Sequence, residues 1–343
     1  MGSDQRTKRA GLGPDDFDYE LPADRIAHQP IEPRDAARLL VAPAGGAVVH
    51  QHITDLPDLL QDGDLLVVND TRVLPARVIF QKDTGGKVEI LLLDARDDGQ
   101  WECLVRPSKR TPPGTRVRAG DDFAAVVGED LGEGRRLIRF ETDHDLLVAL
   151  DAHGQMPLPP YLNTVLDDPE RYQTVYSDRP ASAAAPTAGL HITDEVLARL
   201  AARNIELARV ELVVGLDTFR PLSAASLDEH IMHTESYNVS AETWDKVSAA
   251  KRVVAVGTTS VRALESAASR HELFGRTDIF IRAPYDFAVV DVMLTNFHLP
   301  KSSLLVMIDA FVGPKWRDIY RTAIEEKYRF LSFGDAMLLE RSQ

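Results

Sequence analysis

The chain contains very little cysteine, no long hydrophobic run and fewer basic than acidic side chains. Cys103 is the only cysteine among 343 residues, so no disulfide can form within the chain and a reducing cytosol is the expected setting. No stretch approaches the roughly 20 consecutive apolar residues of a membrane-spanning helix. The 39 basic and 53 acidic residues give a net charge of -14, which argues against a protein that coats nucleic acid without specificity.

The remaining composition is that of a globular protein large enough for two domains. Hydrophobic residues make up 44% and charged residues 27% of the chain, as in ordinary folded domains. Residues 1–14 contain no apolar run, so we expect a flexible tail there and not a signal peptide.

Two patterns of secondary structure divide the rest of the chain. Between residues 64 and 151, short β-type runs are separated by turn residues without a convincing helix, which indicates a small antiparallel barrel or sandwich. Residues 15–63 and 152–343 instead alternate helical and strand patterns, which is typical of an α/β domain. The sequence therefore predicts an α/β main domain into which an antiparallel β-barrel-like domain is inserted.

A cluster of polar residues follows one of the predicted buried strands. The run VVDVML at 289–294 is almost wholly apolar, and TNFHLPKSSLL follows it at 295–305. Ligands bind beyond the carboxyl ends of the strands in open α/β sheets, so Asn296 and His298 are candidate site residues. A histidine that only supports the start of the next helix is the alternative interpretation.

The segment VGTTSVRALES at 256–266 predicts a strand, a tight glycine turn and the start of a helix. Free backbone N–H groups and the positive helix end make the turn at Thr258, Thr259 and Ser260 a candidate site for a phosphate or a carboxylate. The segment lacks the Walker lysine and the GxGxxG spacing, so neither a nucleoside triphosphate nor a dinucleotide is indicated. Caps of a purely structural helix are equally consistent with these residues.

Two histidine motifs are candidates for proton transfer. His191 follows the loop APTAG, whose small residues suit a close approach of the backbone to a ligand. In HIMHTE at 230–235, Glu235 lies close to His233 and can orient or tune its imidazole. The same motif raises the question of a metal site, but its spacing is not HExxH and we predict no metal. Both motifs are also compatible with polar loops of structural function only.

A basic segment lies inside the predicted barrel. Five basic and no acidic residues occur between Cys103 and Gly120, among them Arg106, Lys109 and Arg110. The segment is a candidate local contact for nucleic acid, and a solvated loop is an equally good explanation of the charge alone.

Taken in order, these segments resemble the S-adenosylmethionine:tRNA ribosyltransferase-isomerase family of queuosine biosynthesis. The resemblance runs from DFDYELP at 16–22 to FGDAMLL at 333–339. Between these ends it includes NDTRVLPAR, MPLPPYL, RYQTVYS, AAPTAGLHIT, MHTE, VGTTSVRALE and TNFHLPKSSLL. It therefore extends over nearly the whole chain.

The resemblance implies an enzyme that uses S-adenosylmethionine as a ribosyl donor. The implied acceptor is 7-aminomethyl-7-deazaguanine at the wobble position of a tRNA anticodon loop, and the implied product is epoxyqueuosine. Adenine and methionine leave. The resemblance implies no metal. It implies no cofactor either, because S-adenosylmethionine is consumed as a co-substrate. We expect a cytoplasmic monomer without membrane attachment, with the tRNA across the junction of the two domains and the wobble base flipped into the pocket.

The resemblance also suggests roles for the candidate residues. The residues expected to transfer protons are His191, His233 and Glu235. Those expected to bind S-adenosylmethionine are Thr258, Thr259, Ser260, Arg262, Asn296 and His298. Those expected to contact the nucleic acid are Asn69, Arg72, Arg106, Lys109 and Arg110.

The chain departs from the expected family pattern at several positions. Val213 and Asp217 replace a histidine and a glycine in LVVGLDTF, no basic residue follows MPLPPYL at Asn163, and Arg282 lies where FIYPGY is expected. With the net charge of -14, these departures leave two alternatives open. One is a diverged enzyme that uses S-adenosylmethionine with a free deazapurine or another small acceptor. The other is a binding module for RNA or nucleosides that has no catalytic activity.

Overall fold

Apolar runs between polar turns form the strands of a nine-stranded mixed sheet in the computed structural model. The structure describes residues 11–342 except 97, 163–165, 167, 216–221 and 223. In sheet order the strands are β16 (Phe274–Thr277), β14 (Glu235–Val239), β13 (Glu206–Leu212), β3 (Asp64–Asn69), β15 (Arg252–Val256), β17 (Val292–Asn296), β18 (Ala336–Glu340), β1 (Arg38–Ala42) and β2 (Val49–His52). The helices are α1 (Leu56–Leu59), α2 (Leu146–His153), α3 (Asp194–Ala202), α4 (Ala241–Ala249), α5 (Gly257–Arg270), α6 (Ser303–Val312) and α7 (Trp316–Glu325).

Four parallel strands form the middle of this sheet. β13 pairs with β3, β3 with β15, and β15 with β17, all in parallel. All residues of β3 and β17 are buried, since side chains cover both faces of the sheet. Parallel pairing brings the carboxyl ends of the four strands to one edge of the sheet, which is where the candidate loops begin.

Helix α5 is buried along most of its length, and it holds a neighbouring loop through a carboxylate. Every residue from Gly257 to Ala267 is buried. The carboxylate of Glu265 accepts hydrogen bonds from the backbone N–H groups of Ala288, Val289 and Val290 at 2.9 to 3.0 Å. Because these donors satisfy the buried charge, Glu265 has a structural function.

The second unit is a closed antiparallel barrel. Its six strands, in order around the barrel, are β5 (Arg77–Lys82), β6 (Lys87–Ala95), β7 (Trp101–Arg106), β10 (Arg135–Thr142), β9 (Phe123–Gly132) and β8 (Arg116–Ala119). Pairing of β8 with β5 closes the barrel, and the short β11 (Gly154–Gln155) adds to β5. Phe80 and Phe123 meet in its core at a centroid distance of 5.2 Å. Cys103 is fully buried in this core, where it packs as an apolar residue.

The barrel strands begin later in the chain than the sequence predicted. The predicted insertion began at residue 64, but β3 lies in the centre of the nine-stranded sheet. β4 (Arg72–Val73) then pairs with β12 (Pro180–Ser182) in a two-stranded sheet, and the barrel strands begin only at Arg77. A continuous apolar run such as LLVVN fits a barrel and a buried parallel sheet equally well, so the pattern alone did not place this strand.

The predicted tail is only partly within the described residues. Residues 1–10 lie outside them. Leu12 packs against the core, and its carbonyl accepts the backbone N–H of Leu227 at 2.9 Å, so the predicted extent of the tail to residue 14 was too long. Among the helices that the structure describes, none has the length and apolarity to cross a membrane.

Candidate active site

A narrow cleft opens at the sheet edge where β15 and β17 end. Its walls come from the segments 257–259, 295–299 and 185–188, together with Tyr161, Val214, Ser302, Leu304, Leu331 and Ser332. Most of these groups are apolar, and a few hydroxyl, amide and imidazole groups face the space between them. A pocket of this composition can enclose a flat heterocycle and exclude water from it.

A wide cleft lies between the barrel and the α/β domain. On one side the lining residues belong to the barrel: Leu93, Asp94, Arg96, Glu102, Glu133 and Arg135. Segment 229–236, Arg262, Arg276 and Ser303 of the α/β domain are among the residues on the other side. Leu304 lines both clefts, and Val213 and Gly215 of the wide cleft are the chain neighbours of Val214 in the narrow one. The two clefts are therefore adjacent parts of one site.

Asn296 is held in the narrow cleft by a hydrogen-bond network. Its Nδ2 donates to the carbonyl of Asp335 at 3.4 Å, and its Oδ1 accepts the Thr187 hydroxyl at 2.8 Å. A carbonyl can only accept, so this contact fixes which end of the amide carries the N–H groups. The same Nδ2 lies 3.0 Å from Nε2 of His191, which must therefore be the acceptor.

His191 is consequently a neutral support for Asn296. The imidazole is buried, and burial together with the charges of Arg329, Arg171 and Arg34 lowers its pKa from 6.5 to about 4. His191 lines neither of the two clefts, but a small separate cavity beside Arg34 and Arg171. This geometry favours a positioning role over the proton transfer expected from the sequence, because the basic nitrogen is already engaged.

His298 lies in the narrow cleft and is also uncharged at neutral pH. Burial lowers its pKa from 6.5 to about 3. Its Nε2 lies 3.1 Å from the Thr295 hydroxyl, and its backbone N–H donates to the Tyr320 hydroxyl at 3.0 Å. These contacts hold the neutral ring against the wall of the cleft.

The structure shows a partner of Glu235 that the sequence did not suggest. The Glu235 carboxylate forms a buried ion pair with Nη1 of Arg262, and its other oxygen accepts the Gly215 N–H at 3.3 Å. The expected tuning of His233 by Glu235 stays a prediction. β14 begins at Glu235, and the second turn of α5 carries Arg262 to the same place. His233 is half-buried on the wall of the wide cleft.

The Arg262 guanidinium has one free edge. Its side chain is only 4% exposed, and Nε and Nη2 have no hydrogen-bond partner among the described residues. These two nitrogens form the side-on fork of a guanidinium, which matches the two oxygens of a carboxylate or phosphate. We call this edge the Arg262 fork. Buried donors without a partner cost about 1 to 3 kcal/mol each, so the fork is suited to an anionic ligand.

The three hydroxyl residues at the start of α5 have different surroundings. Thr258 and Thr259 line the narrow cleft, and the buried Thr259 hydroxyl has no partner among the described residues. The Ser260 hydroxyl donates to the carbonyl of Val256 at 2.7 Å and lines neither cleft. The structure therefore removes Ser260 from the predicted set of ligand-binding groups.

Some of the predicted nucleic-acid contacts are exposed, and others are engaged within the protein. Asn69 is fully buried and bonds through both ends of its amide to Leu212, so it joins β3 to β13 and is not available to nucleic acid. Arg72 is partly buried in an ion pair with Glu170. Arg106, Lys109 and Arg110 are exposed on the barrel.

Some lining residues were not identified from the sequence. Tyr161, the penultimate residue of MPLPPYL at 156–162, lines the narrow cleft, and burial raises the pKa of its phenol to about 12, so the phenol stays protonated. Arg96, directly after β6, and Arg135, at the start of β10, reach the wide cleft, and no local pattern connects them to the rest of the site. Of the departures from the family pattern, Asn163 and Asp217 lie outside the described residues.

Arg282, another departure, takes part in a surface contact. It forms an ion pair with Asp228 at 2.6 Å and lies over the Phe280 ring. Within the described residues, no group of three His, Cys, Asp or Glu side chains is arranged to hold a metal ion.

The two buried histidines predict a loss of stability in acid. Between pH 6.5 and about 4, the unfolded chain binds a proton at His191 that the folded chain does not. The free energy of unfolding should therefore decrease as the pH falls through this window, by up to about 1.4 kcal/mol per pH unit for each such histidine. His191→Gln keeps an acceptor for Asn296 and should flatten this dependence, measured by urea unfolding. His144→Gln, at an exposed position, should leave the dependence unchanged. Equal slopes for the wild type and His191→Gln would contradict the assignment.

Comparison with known proteins connects this geometry to a family. The profile of a family described as queuosine biosynthesis protein matches residues 14–339. S-adenosylmethionine:tRNA ribosyltransferase-isomerases from Symbiobacterium thermophilum and Gloeobacter violaceus are each 49% identical to the chain. The alignments cover 94% of this chain and 98% of the first relative, and 95% of this chain and 95% of the second.

The fold is also similar to a solved structure. The crystal structure of an S-adenosylmethionine tRNA ribosyltransferase from Thermotoga maritima matches 94% of this chain and 99% of its own, with 35% identity and a TM-score of 0.55. The predicted fold class, an α/β domain with an inserted antiparallel barrel, is confirmed. The family that the motifs predicted is confirmed as well: the chain belongs to the queuosine biosynthesis protein family.

Proposed function

We propose that the protein is an S-adenosylmethionine:tRNA ribosyltransferase-isomerase. It transfers and isomerises the ribosyl moiety of S-adenosylmethionine onto the 7-aminomethyl-7-deazaguanine wobble base of tRNA, and epoxyqueuosine, adenine and methionine are formed. The observation that carries this proposal is the similarity at 49% identity, over nearly the full length of both chains, to enzymes of that name. S-adenosylmethionine is a co-substrate in this proposal, and no metal or cofactor takes part.

The two clefts fit the two substrates. The narrow cleft has the apolar walls and the few polar groups that suit the adenosine part of S-adenosylmethionine. The wide cleft lies between the two domains, which gives an anticodon loop space to present a flipped wobble base to the narrow cleft. We assign the anticodon loop to the wide cleft and propose that a monomer acts in the cytoplasm. Light scattering that gives the mass of a dimer would contradict the monomer.

The methionine carboxylate is assigned to the junction of the clefts. Thr259 lines the narrow cleft, and Arg262 lines the wide one. The two residues are three positions apart on α5, so their side chains lie on the same face of the helix. The unpartnered Thr259 hydroxyl and the two fork donors together supply three hydrogen bonds to one carboxylate.

Substitution of Arg262 tests this anchor. Arg262→Lys keeps a positive charge beside Glu235 but has no fork, so the KM for S-adenosylmethionine should rise about tenfold to a hundredfold. The measurement is the initial rate of adenine release against S-adenosylmethionine concentration. Arg276→Lys is the matched control, because Arg276 also lines the wide cleft but its guanidinium pairs with Asp94. A raised KM for tRNA alone would instead assign the fork to an RNA phosphate.

His233 is assigned as the group that transfers protons. The expected chemistry begins with removal of a proton from the carbon beside the sulfonium; opening of the ribose ring then expels adenine. The amine of the base attacks the resulting vinyl sulfonium, and closure of the ylide and then of the epoxide expels methionine. The half-buried His233 lies on the wide-cleft wall, where the acceptor base would enter.

His233→Ala should lower the turnover number by about a hundredfold or more and leave the binding of S-adenosylmethionine largely unchanged. Single-turnover adenine release and equilibrium binding separate these two effects. His230→Ala is the control, since the His230 ring is packed against Phe280 at a centroid distance of 5.2 Å. Full turnover by His233→Ala would remove the assignment.

The basic segment 106–110 is assigned to the tRNA backbone. The N–H of Val105, just before it, donates to the carbonyl of Gly134 at 2.8 Å. The adjacent residues Glu133 and Arg135 line the wide cleft, so the exposed segment lies beside the proposed path of the RNA.

Charge reversal of this segment should weaken tRNA binding and flatten its salt dependence. If Arg106, Lys109 and Arg110 each contact a phosphate, replacing all three by glutamate lowers the slope of log affinity against log salt by about two or more. Arg139→Glu, at an exposed position on β10, is the control. Unchanged affinity and slope would assign the segment to a solvated loop.

The reaction itself is tested by adenine release from S-adenosylmethionine. We expect release that depends on tRNA bearing the aminomethyl-deazaguanine, with an epoxycyclopentyl nucleoside identified by mass spectrometry. Release with the free deazapurine base and not with tRNA would favour a small-molecule enzyme. Tight RNA binding without release of adenine would favour a binding module.

A further inference from the structure

Ile231 is the most exposed of the large hydrophobic residues in the described part of the chain. Its relative exposure is 85%, compared with 74% for Phe274 and 54% for Val148. It lies between His230 and Met232 on the wall of the wide cleft. Its aliphatic surface is therefore available for contact with a ligand that occupies the wide cleft.

The loop around Ile231 is anchored at several points. The N–H of Leu227 donates to Leu12, and Leu227 itself is buried in the core. Next along the chain, Asp228 forms an ion pair with Arg282 at 2.6 Å, and the His230 ring packs edge-on against Phe280. On the other side, Glu235 is held by Arg262. The fold therefore holds Ile231 in its exposed position, which lowers the entropy lost when a ligand contacts it.

The surroundings of Ile231 distinguish between the two proposed substrates. S-adenosylmethionine is assigned to the narrow cleft, whose lining does not include Ile231. Ile231 lines the wide cleft instead. The turn between β9 and β10, at residues 133–135, also borders this cleft and lies next to the basic segment 106–110. An apolar side chain beside a flipped nucleotide can contact the faces of the bases that remain in the stack.

We propose that Ile231 is a wedge that contacts a base next to the flipped wobble nucleotide in the anticodon loop. This inference rests on the proposed function and assigns Ile231 a positioning role in tRNA recognition. The aliphatic side chain occupies part of the space that the flipped base leaves. It thereby keeps the neighbouring base from stacking back over the gap.

Replacement of Ile231 should raise the KM for tRNA without affecting the other substrate. For Ile231→Ser we expect an increase of about tenfold, equivalent to about 1.4 kcal/mol, with the KM for S-adenosylmethionine and the melting temperature unchanged. Ile231→Leu should retain most of the wild-type value, because it keeps an apolar wedge. Val148→Ser is the matched control, since Val148 is also exposed but lines neither cleft.

A fluorescent base provides a readout that a loss of general stability would not change. With 2-aminopurine next to the wobble position, the wild type and Ile231→Leu should increase the fluorescence on binding, and Ile231→Ser at saturating concentration should not. The wedge would be overturned by an Ile231→Ser variant with the wild-type KM for tRNA, or by an equal rise of this KM in Val148→Ser. In either case, tRNA-dependent adenine release by the wild type would still uphold the proposed function. If the wild type releases no adenine with tRNA, the proposed function and the wedge both fail.

Discussion

The parallel pairing of β13, β3, β15 and β17 is the constraint on which the site depends. It brings the ends of four strands to one edge of the sheet, although the ends of β3 and β17, Asn69 and Asn296, are 227 residues apart in the chain. Thr259 comes from the helix after β15, Asn296 is the last residue of β17, and Val214 follows β13; all three line the narrow cleft. With any other register or order of these strands, the same side chains would not line a common space.

Buried charge is the second organising feature. Glu265 is satisfied by three backbone N–H groups, and its function is to hold a loop. Glu235 instead neutralises Arg262 from one side, and the fork has no hydrogen-bond partner in the part of the chain that the structure describes. Removing one partner of such a buried pair costs about 3 to 5 kcal/mol, so Glu235 and Arg262 are coupled in folding as well as in the proposed binding of the carboxylate. The two fork donors favour an anionic ligand. Because Glu235 already pairs with the guanidinium, the interior does not contain a full unpaired charge before the ligand binds.

The sequence predicted the features of the fold that depend on local pattern. The apolar run before Asn296, the glycine turn before Thr258 and the dense β-type runs of the barrel all lie where the structure has a strand end, a helix start and barrel strands. It did not predict features that depend on partners far away in the chain. The placement of β3, the burial of Asn69 against Leu212 and the pairing of Glu235 with Arg262 all follow from tertiary neighbours. No local spacing encodes these neighbours, and His191 was assigned to proton transfer for the same reason.

A crystal structure with S-adenosylmethionine or its unreactive relative S-adenosylhomocysteine would show which groups hold the substrate. We expect the carboxylate of its amino acid part at about 2.8 Å from Nε and Nη2 of Arg262, with the adenine in the narrow cleft. A carboxylate bound elsewhere, with the Arg262 fork still without a partner, would contradict this expectation.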